Sequence, residues 1–400
     1  MKKVAIVTPF GAEERLDYFP EFVLARGLAA RGFDIRFFTY HMRSHSGYRT
    51  DGIYKGVRAI RCSQWFGFSP KLIWELFRFR PEVVILGHVR SYLNFSASWA
   101  ARRIGAEIIF QPFGFLHDPF IVADRDNPLE TLYPNPHLIK RLGECVHSML
   151  QTRSIGLSWQ NYVFHAPLFS ADRRVTISAF ERDMLKKITG LESVAIPNGI
   201  PPHLVGESIQ PKSQDDRALP SSYLFFIGQV KKRKGWDTIL EALALLAKRG
   251  VRKNLMFATS STPQTLEEAM RLANQLGIRD QIWFLQNVSN EEKNWLFTHA
   301  EAALAPSRYE GFGLPVVESW VAGTPVLGTD IPVYQDFLID GVTGLVSKKG
   351  DPESLAENIA RLEEPGLKEK IVAGGKEKMQ EFTDERVVQQ FLELFGELGV

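Results

Sequence analysis

Short apolar runs alternate with longer amphipathic stretches along most of the chain. The apolar runs predict strands, at 3–7, 35–39, 83–86, 107–110 and 174–177 in the first half and at 224–227, 255–258, 282–285, 302–305 and 325–328 in the second. Helical spacing of apolar residues occurs at 19–31, 91–103 and 236–247, and the less regular stretch 116–169 is expected to form an insertion with a helix near 139–150. Strands that alternate with helices favour a parallel sheet covered on both faces. We therefore predict an α/β protein.

The clearest domain boundary lies where Pro197-Asn198-Gly199-Ile200-Pro201-Pro202 opens a polar stretch that runs to Pro220. The alternation occurs on both sides, so we predict two Rossmann-like domains that face each other across a cleft, over 1–197 and 198–380. We also predict a last helix at 384–398, within a third segment that covers 381–400. One option for this segment is to pack back on the first domain. Ligands of such sheets bind beyond the carboxyl ends of the strands.

Composition and charge limit the classes of function. The 400 residues include 48 Lys and Arg and 46 Asp and Glu, so the net charge is +2. That balance provides no field for nucleic acid, and phosphate recognition must be local. Cys62 and Cys145 lack metal or redox spacing, which indicates reduced thiols. No signal peptide and no apolar run of about 18 residues is found, so we expect a soluble, cytoplasmic protein.

The segment most informative about chemistry follows the predicted strand at 302–305. It reads Pro306-Ser307-Arg308-Tyr309-Glu310-Gly311-Phe312-Gly313-Leu314-Pro315-Val316-Val317-Glu318, a glycine loop that opens a helix. The start of a helix offers unpaired N–H groups to a phosphate. Glu310 and Glu318 would repel a phosphate, but a carboxylate accepts hydrogen bonds from neighbouring hydroxyls of a ribose or a sugar. A nucleotide sugar therefore fits better than a free nucleotide.

A second loop offers the opposite charge. Gly228-Gln229-Val230-Lys231-Lys232-Arg233-Lys234-Gly235 lies between a predicted strand and a predicted helix. Its four successive cations can neutralise a diphosphate and stabilise it as a leaving group. A solvated basic turn is the alternative interpretation.

Together these motifs resemble a known family. Glu310-Gly311-Phe312-Gly313-Leu314-Pro315 with Glu318 is similar to the E-x7-E signature of retaining family-4 glycosyltransferases of the GT-B fold. Pro197-Asn198-Gly199 and Lys234-Gly235 resemble the family's PNG and KG motifs. Gly323-Thr324-Pro325-Val326 and Asp340-Gly341-Val342-Thr343-Gly344 match its GxPV and DGxxG segments. The motifs cover 197–347, and the likeness over 1–190 is mainly topological.

The resemblance implies a hexosyltransferase with a nucleotide-sugar donor, for which a UDP-sugar is favoured and UDP-glucose is the first trial. The acceptor would be a glycan or lipid-linked molecule of surface or exopolysaccharide synthesis, bound by the N-terminal domain, while the C-terminal domain binds the donor. The anomeric configuration would be retained by front-face attack, in which the departing phosphate oxygen takes the acceptor's proton. No metal and no other cofactor is expected.

The resemblance also assigns roles to individual residues. Glu310 would contact the donor sugar, Glu318 would hold the ribose, and Lys234 would bind the diphosphate and assist its departure. The backbone of Gly311, Phe312, Gly313 and Leu314 would approach the sugar and the diphosphate. Gly11 would close over the donor from the first domain, and Val288 would pack on the nucleobase.

Three positions depart from the family pattern. Gln229 stands where the family usually has Arg, and Arg233 or a neighbouring lysine is the candidate replacement. Phe113-Gly114 stands where many members have His-Gly, and His117 is the candidate substitute on the acceptor side. The first glycine loop, which often has two glycines, has only Gly11.

Other signals leave alternatives. Asp124-Arg125-Asp126 would suit a divalent cation in the other main glycosyltransferase fold, but no second carboxylate cluster supports it, and a solvated loop is preferred. His88 and His165 are interpreted as structural. The first strand does not lead into G-x-G-x-x-G, which excludes a nicotinamide dehydrogenase.

The basic aromatic stretch at 65–80 indicates either a core-packing helix or a peripheral contact with the inner membrane surface. A catalytically silent nucleotide-sugar binder and a nucleotide-sugar epimerase are the alternative functions. Turnover without any acceptor would indicate the epimerase.

Overall fold

The computed structural model describes residues 2–9, 19–40, 51–65, 67–113, 139–152, 155–200, 206–214 and 217–400. The chain divides into two compact units, which we call unit 1 (Met1–Pro201 with Thr383–Val400) and unit 2 (Pro202–Phe382). The sequence had placed its boundaries after residues 197 and 380.

The strands of the described residues are β1 (Lys3–Val7), β2 (Asp34–Tyr40), β3 (Gly52–Tyr54), β4 (Val57–Cys62), β5 (Val83–Gly87), β6 (Glu107–Gln111), β7 (Arg173–Thr176), β8 (Val194–Ala195), β9 (Leu224–Ile227), β10 (Leu255–Thr259), β11 (Ile282–Gln286), β12 (Ala302–Leu304), β13 (Val326–Thr329) and β14 (Leu345–Ser347). The helices are α1 (Pro20–Ala30), α2 (Pro70–Phe79), α3 (Tyr92–Ile104), α4 (Leu142–Thr152), α5 (Ile155–Ser170), α6 (Ala179–Thr189), α7 (Trp236–Lys248), α8 (Pro263–Gln275), α9 (Asn290–Thr298), α10 (Leu314–Ala322), α11 (Pro332–Gln335), α12 (Pro352–Arg361), α13 (Leu367–Met379) and α14 (Asp384–Glu397).

Unit 1 is built on a twisted sheet in the order β3-β4-β2-β1-β5-β6-β7-β8. All of its pairs are parallel except β3 with β4. The terminal helix α14 belongs to this unit and packs on α1. Val388 and Phe391 of α14 lie in one buried cluster with Phe22 and Leu28 of α1, which explains the apolar stripe of the last helix.

Unit 2 has a fully parallel sheet in the order β11-β10-β9-β12-β13-β14. Numbered within the unit, this is 3-2-1-4-5-6, the order of dinucleotide-binding sheets. The direction in which successive strands are added to the sheet reverses between β9 and β12. Ligands of open α/β sheets bind at this point, so the topology brings the two predicted loops of unit 2 to one place.

The ten predicted strands are confirmed to within two residues at each end, as are the predicted helices at 19–31, 91–103 and 236–247. The sequence left β4 and α5 unassigned. Arg58 and Arg61 interrupt the apolar run of β4, and the apolar residues of α5 show no preferred face. β4 is paired on both sides, with β2 and β3, and α5 packs on α3 as well as on α4, which a local pattern does not reveal.

Candidate functional site

Two loops at the carboxyl edge of unit 2 form the candidate site. We call residues 228–235, after β9, the basic loop, and residues 305–313, after β12, the glutamate loop. The Arg308 N–H donates to the Arg233 carbonyl oxygen at 2.8 Å. Gly235 has φ +69°, and a Cβ at this position would lie 1.9 Å from the Pro306 carbonyl oxygen. The loops therefore approach so closely that only glycine fits at position 235.

An ion pair that the sequence did not reveal also joins the loops. Arg308 donates to both carboxylate oxygens of Asp237, at 2.7 and 3.1 Å, and Lys232 Nζ donates to the same carboxylate at 2.9 Å. Burial raises the pKa of Asp237, but the hydrogen bonds from Arg308 and Lys232 outweigh it, and the pKa lies below its ordinary value. Arg308 thus ties the glutamate loop to Asp237, while Lys232 pairs with the same carboxylate and stays half-exposed.

Glu310 lies at the centre of the site. Its carboxylate accepts hydrogen bonds from Lys234 Nζ and, at 2.7 Å, from Ser307 Oγ. Arg233 Nη1 lies 3.5 Å from Oε2. Burial raises the pKa of Glu310, but the charges of Lys234 and Arg233 and these hydrogen bonds outweigh it, so the pKa lies below its ordinary value. A buried carboxylate and two cations that are largely shielded from water therefore share one spot, whereas Lys231 and Lys232 of the same loop are exposed.

The glycine loop is held by aromatic packing on its other side. Gly313 has φ +102°, and a Cβ there would lie 2.3 Å from Tyr334 Cε1. The Phe312 ring is buried, with its centroid 5.7 Å from that of Phe337 and 5.5 Å from that of Phe382. Gly313 is therefore required by packing, and the Phe312 side chain belongs to the buried aromatic cluster. Their contacts with a donor stay predictions.

α10 begins at Leu314 with Gly313 as its N-cap and Pro315 in its first turn, as the sequence predicted. Glu318, one turn further, accepts a hydrogen bond at 2.8 Å from Lys293 Nζ of α9. Both side chains are nearly buried, at 10% and 8% exposure. Lys293 was not foreseen, because it lies in the polar run Asn290-Glu291-Glu292-Lys293 and has the pattern of a surface charge.

The other predicted donor residues lie around these two loops. Gly311 is half-buried in the glutamate loop, Gln229 is exposed in the basic loop, and Val288 is half-buried in the loop after β11. Gly11, Gly114 and His117 lie outside the described residues, as do Asp124, Arg125 and Asp126. Their roles stay predictions.

Two histidines and both cysteines named from the sequence lie among the described residues of unit 1. His88 follows β5 with φ +65°, its Nε2 lies 2.5 Å from Glu21 Oε1, and its ring stacks on Phe113 at 4.9 Å between centroids. His165 is fully buried in α5. Cys62 and Cys145 are free and buried, and burial raises the pKa of Cys62 to about 12.

The described residues include neither a metal-ligand cluster nor a membrane-spanning helix. Within them no group of three or more His, Cys, Asp and Glu is arranged to hold a metal ion. No helix in the same part of the chain is long and apolar enough to span a bilayer. Independence from a metal stays a prediction.

Helix α2 confirms that the basic aromatic stretch forms a core-packing helix, and the membrane contact stays a prediction. Leu72, Leu76 and Phe79 are buried in the core of unit 1. Trp74 and Phe77 on the other face are exposed, at 56% and 41%. The stretch is thus a core-packing helix that also presents aromatic rings to the surface.

Two parallel α/β units, the second with a carboxylate and cation site where its sheet order reverses, define a GT-B type protein. The chain matches the model described as Glycosyltransferase Family 4 over residues 22–204 and the model described as Glycosyl transferases group 1 over residues 211–378. These matches together cover most of the chain. The protein belongs to the family-4 type glycosyltransferases.

Known proteins agree with this placement. A D-inositol 3-phosphate glycosyltransferase of Actinosynnema mirum is 28% identical over 182 residues, 44% of this chain and 44% of that protein. The chain spans about half the length of the curated relatives it matches.

Two solved structures share the fold. Sucrose-phosphate synthase from Thermosynechococcus elongatus has a TM-score of 0.73 at 20% identity, over 100% of this chain and 99% of that one. Anabaena HepE in complex with UDP-glucose has a TM-score of 0.70 at 12% identity, over 99% and 100%.

Proposed function

We propose that this protein transfers a hexose from a UDP-sugar, with UDP-glucose as the first candidate, to a glycan or lipid-linked acceptor. The observation that carries the proposal is the cluster of Glu310, Lys234 and Arg233 where the sheet order of unit 2 reverses. One carboxylate with two cations leaves a net positive charge beside the start of α10, which suits a diphosphate. The solved complex of Anabaena HepE with UDP-glucose supports the choice of donor.

The chemistry that we propose is retaining transfer. The bond between the anomeric carbon and the diphosphate oxygen breaks, and the acceptor oxygen bonds to the same face of that carbon. The acceptor's proton passes to the departing phosphate oxygen, so that the products are the glycoside and UDP. Lys234 and Arg233 would stabilise the charge that develops on the leaving group, while Glu310 would hold hydroxyls of the transferred sugar. No step requires a metal ion.

We further propose that the acceptor is met at a membrane surface in surface or exopolysaccharide synthesis. The support is the exposed trio Trp74, Phe77 and Trp99 on α2 and α3. Arg78 lies 5.2 Å from the Trp74 ring centroid, and Arg103 lies 3.7 Å from that of Trp99. Aromatic rings with arginines beside them suit the boundary between anionic headgroups and acyl chains.

Calorimetric titration of UDP-, GDP- and ADP-sugars into the wild type and Glu318→Ala tests the donor assignment. We expect one nucleotide class to bind with micromolar affinity and the variant to bind it more weakly. Release of UDP in the presence of candidate acceptors then tests transfer. Binding without any turnover would indicate a silent binder, and an epimer formed without an acceptor would indicate an epimerase. Absence of binding by every nucleotide sugar would refute the proposal.

A further inference from the structure

Lys293 is the buried partner of Glu318 and has no role in the sequence motifs. Its ammonium on α9 lies 2.8 Å from Oε1 of the carboxylate on α10, and the two helices pack on one another. Removing one partner of so buried a pair leaves the other charge uncompensated. The contact therefore restrains the orientation of the Glu318 side chain.

The contact leaves part of the carboxylate available. Oε1 of Glu318 takes the hydrogen bond from Lys293, and no group among the described residues donates to Oε2. An ionised carboxylate can accept about four hydrogen bonds. Because Lys293 holds one oxygen and the other is open, Glu318 can accept hydrogen bonds from two adjacent hydroxyls in a defined orientation.

The Lys293–Glu318 pair connects two segments that are assigned to opposite ends of a nucleoside diphosphate. α9 follows directly on the loop that contains Val288, and α10 starts at the glutamate loop. The pair thus joins the segment assigned to the nucleobase with the segment assigned to the diphosphate. The ribose is the part of the donor that lies between these groups.

We propose that Lys293 is a positioning residue that orients Glu318 toward the ribose hydroxyls and so determines the preference for ribonucleotides over deoxyribonucleotides. This inference rests on the proposed function. It predicts that Lys293 affects the recognition of the ribose in particular, whereas a purely structural ion pair would have no effect specific to that part of the ligand.

The test is calorimetric binding of UDP and 2′-deoxy-UDP to the wild type and to Lys293→Met. The wild type should prefer UDP by about tenfold, the value of one hydrogen bond to a charged group. Lys293→Met should weaken the binding of UDP more than that of 2′-deoxy-UDP, which offers Glu318 one hydroxyl instead of two, so that the preference falls to within about twofold. Lys293→Arg should retain part of the preference. Thermal unfolding shows whether each variant is folded. If Lys293→Met fails to fold, Lys293→Gln takes its place in the test.

Lys253→Met is the matched control. Lys253 forms a comparable pair with Glu301 at 2.7 Å, and both residues precede strands, at the amino edge of the sheet opposite the site. This variant should keep the preference for UDP. Equal weakening of both nucleotides by Lys293→Met would overturn the inference, and so would a wild type that binds both equally, although the proposed function would stand. A wild type that binds neither UDP nor GDP would overturn the proposed function and the inference with it.

Discussion

Replacing Gly235 with alanine tests how far the candidate site depends on the close approach of its two loops. Gly235 has φ +69°, and a Cβ there would lie 1.9 Å from the Pro306 carbonyl oxygen, whereas carbon and oxygen normally come no closer than about 3.3 Å. Gly250, beyond the other end of α7, has φ +80°, and a Cβ there would have no neighbouring atom within 4 Å. Gly250→Ala is therefore a control with the same backbone strain and no clash.

The expected magnitudes follow from these distances. Both variants carry the left-handed conformation of a non-glycine residue, at about 1 kcal/mol. Gly235→Ala must also move a backbone carbonyl by more than 1 Å, and overpacking of this kind adds about 1–3 kcal/mol. We expect a loss of unfolding free energy of about 1 kcal/mol for Gly250→Ala and about 2–4 kcal/mol for Gly235→Ala.

Urea unfolding followed by circular dichroism measures both losses, and calorimetry measures UDP binding. Gly235→Ala should weaken UDP binding, because it separates the loops that carry Lys234 and Glu310, while Gly250→Ala should leave it unchanged. Equal destabilisation by the two substitutions would refute the reasoning, since it would mean that the loops move apart at no cost.

The charges of the site and the aromatic surface of unit 1 allow three more tests. Lys234→Met should destabilise the protein by about 2–3 kcal/mol, because it leaves buried Glu310 with a weaker counter-charge, and adding Glu310→Gln should recover much of that loss; a double-mutant cycle with no coupling would contradict the pair. The pKa of Asp237 in the folded state is lowered. Its ionised form therefore stabilises the protein at pH values above the ordinary pKa of 3.8, and this stabilisation is lost as the pH falls through the folded-state pKa. Asp237→Asn should therefore be less stable than the wild type in thermal unfolding at pH 7 and approach it in acid, whereas a gap that does not change with pH would rule the linkage out. Trp74→Ser with Phe77→Ser should reduce sedimentation with phosphatidylglycerol vesicles, and failure of the wild type to sediment with them would exclude the membrane contact.

Much of the candidate site could be predicted because its signals are local. Glu310 and Lys234 stand next to glycines in loops that follow predicted strands, and Glu318 lies one turn into the helix that the same glycine loop opens. Strand ends are visible in runs of a few residues. The sequence also predicted the start of α10, since Gly313, Pro315 and the apolar spacing that follows are neighbours in the chain. The backbone preferences of residues and the regular spacing of buried apolar positions both act over such short distances along the chain.

Only the tertiary structure decided which charges meet. Lys234 and Glu310 are 76 residues apart, Asp237 and Arg308 are 71 apart, and Lys293 and Glu318 are 25 apart. These pairs form because β9 lies beside β12 and α9 packs on α10, and nothing in the local pattern of any of these segments specifies that neighbour. Charge by itself marks a residue as polar, and its partner depends on the order of strands and helices into which the whole chain folds.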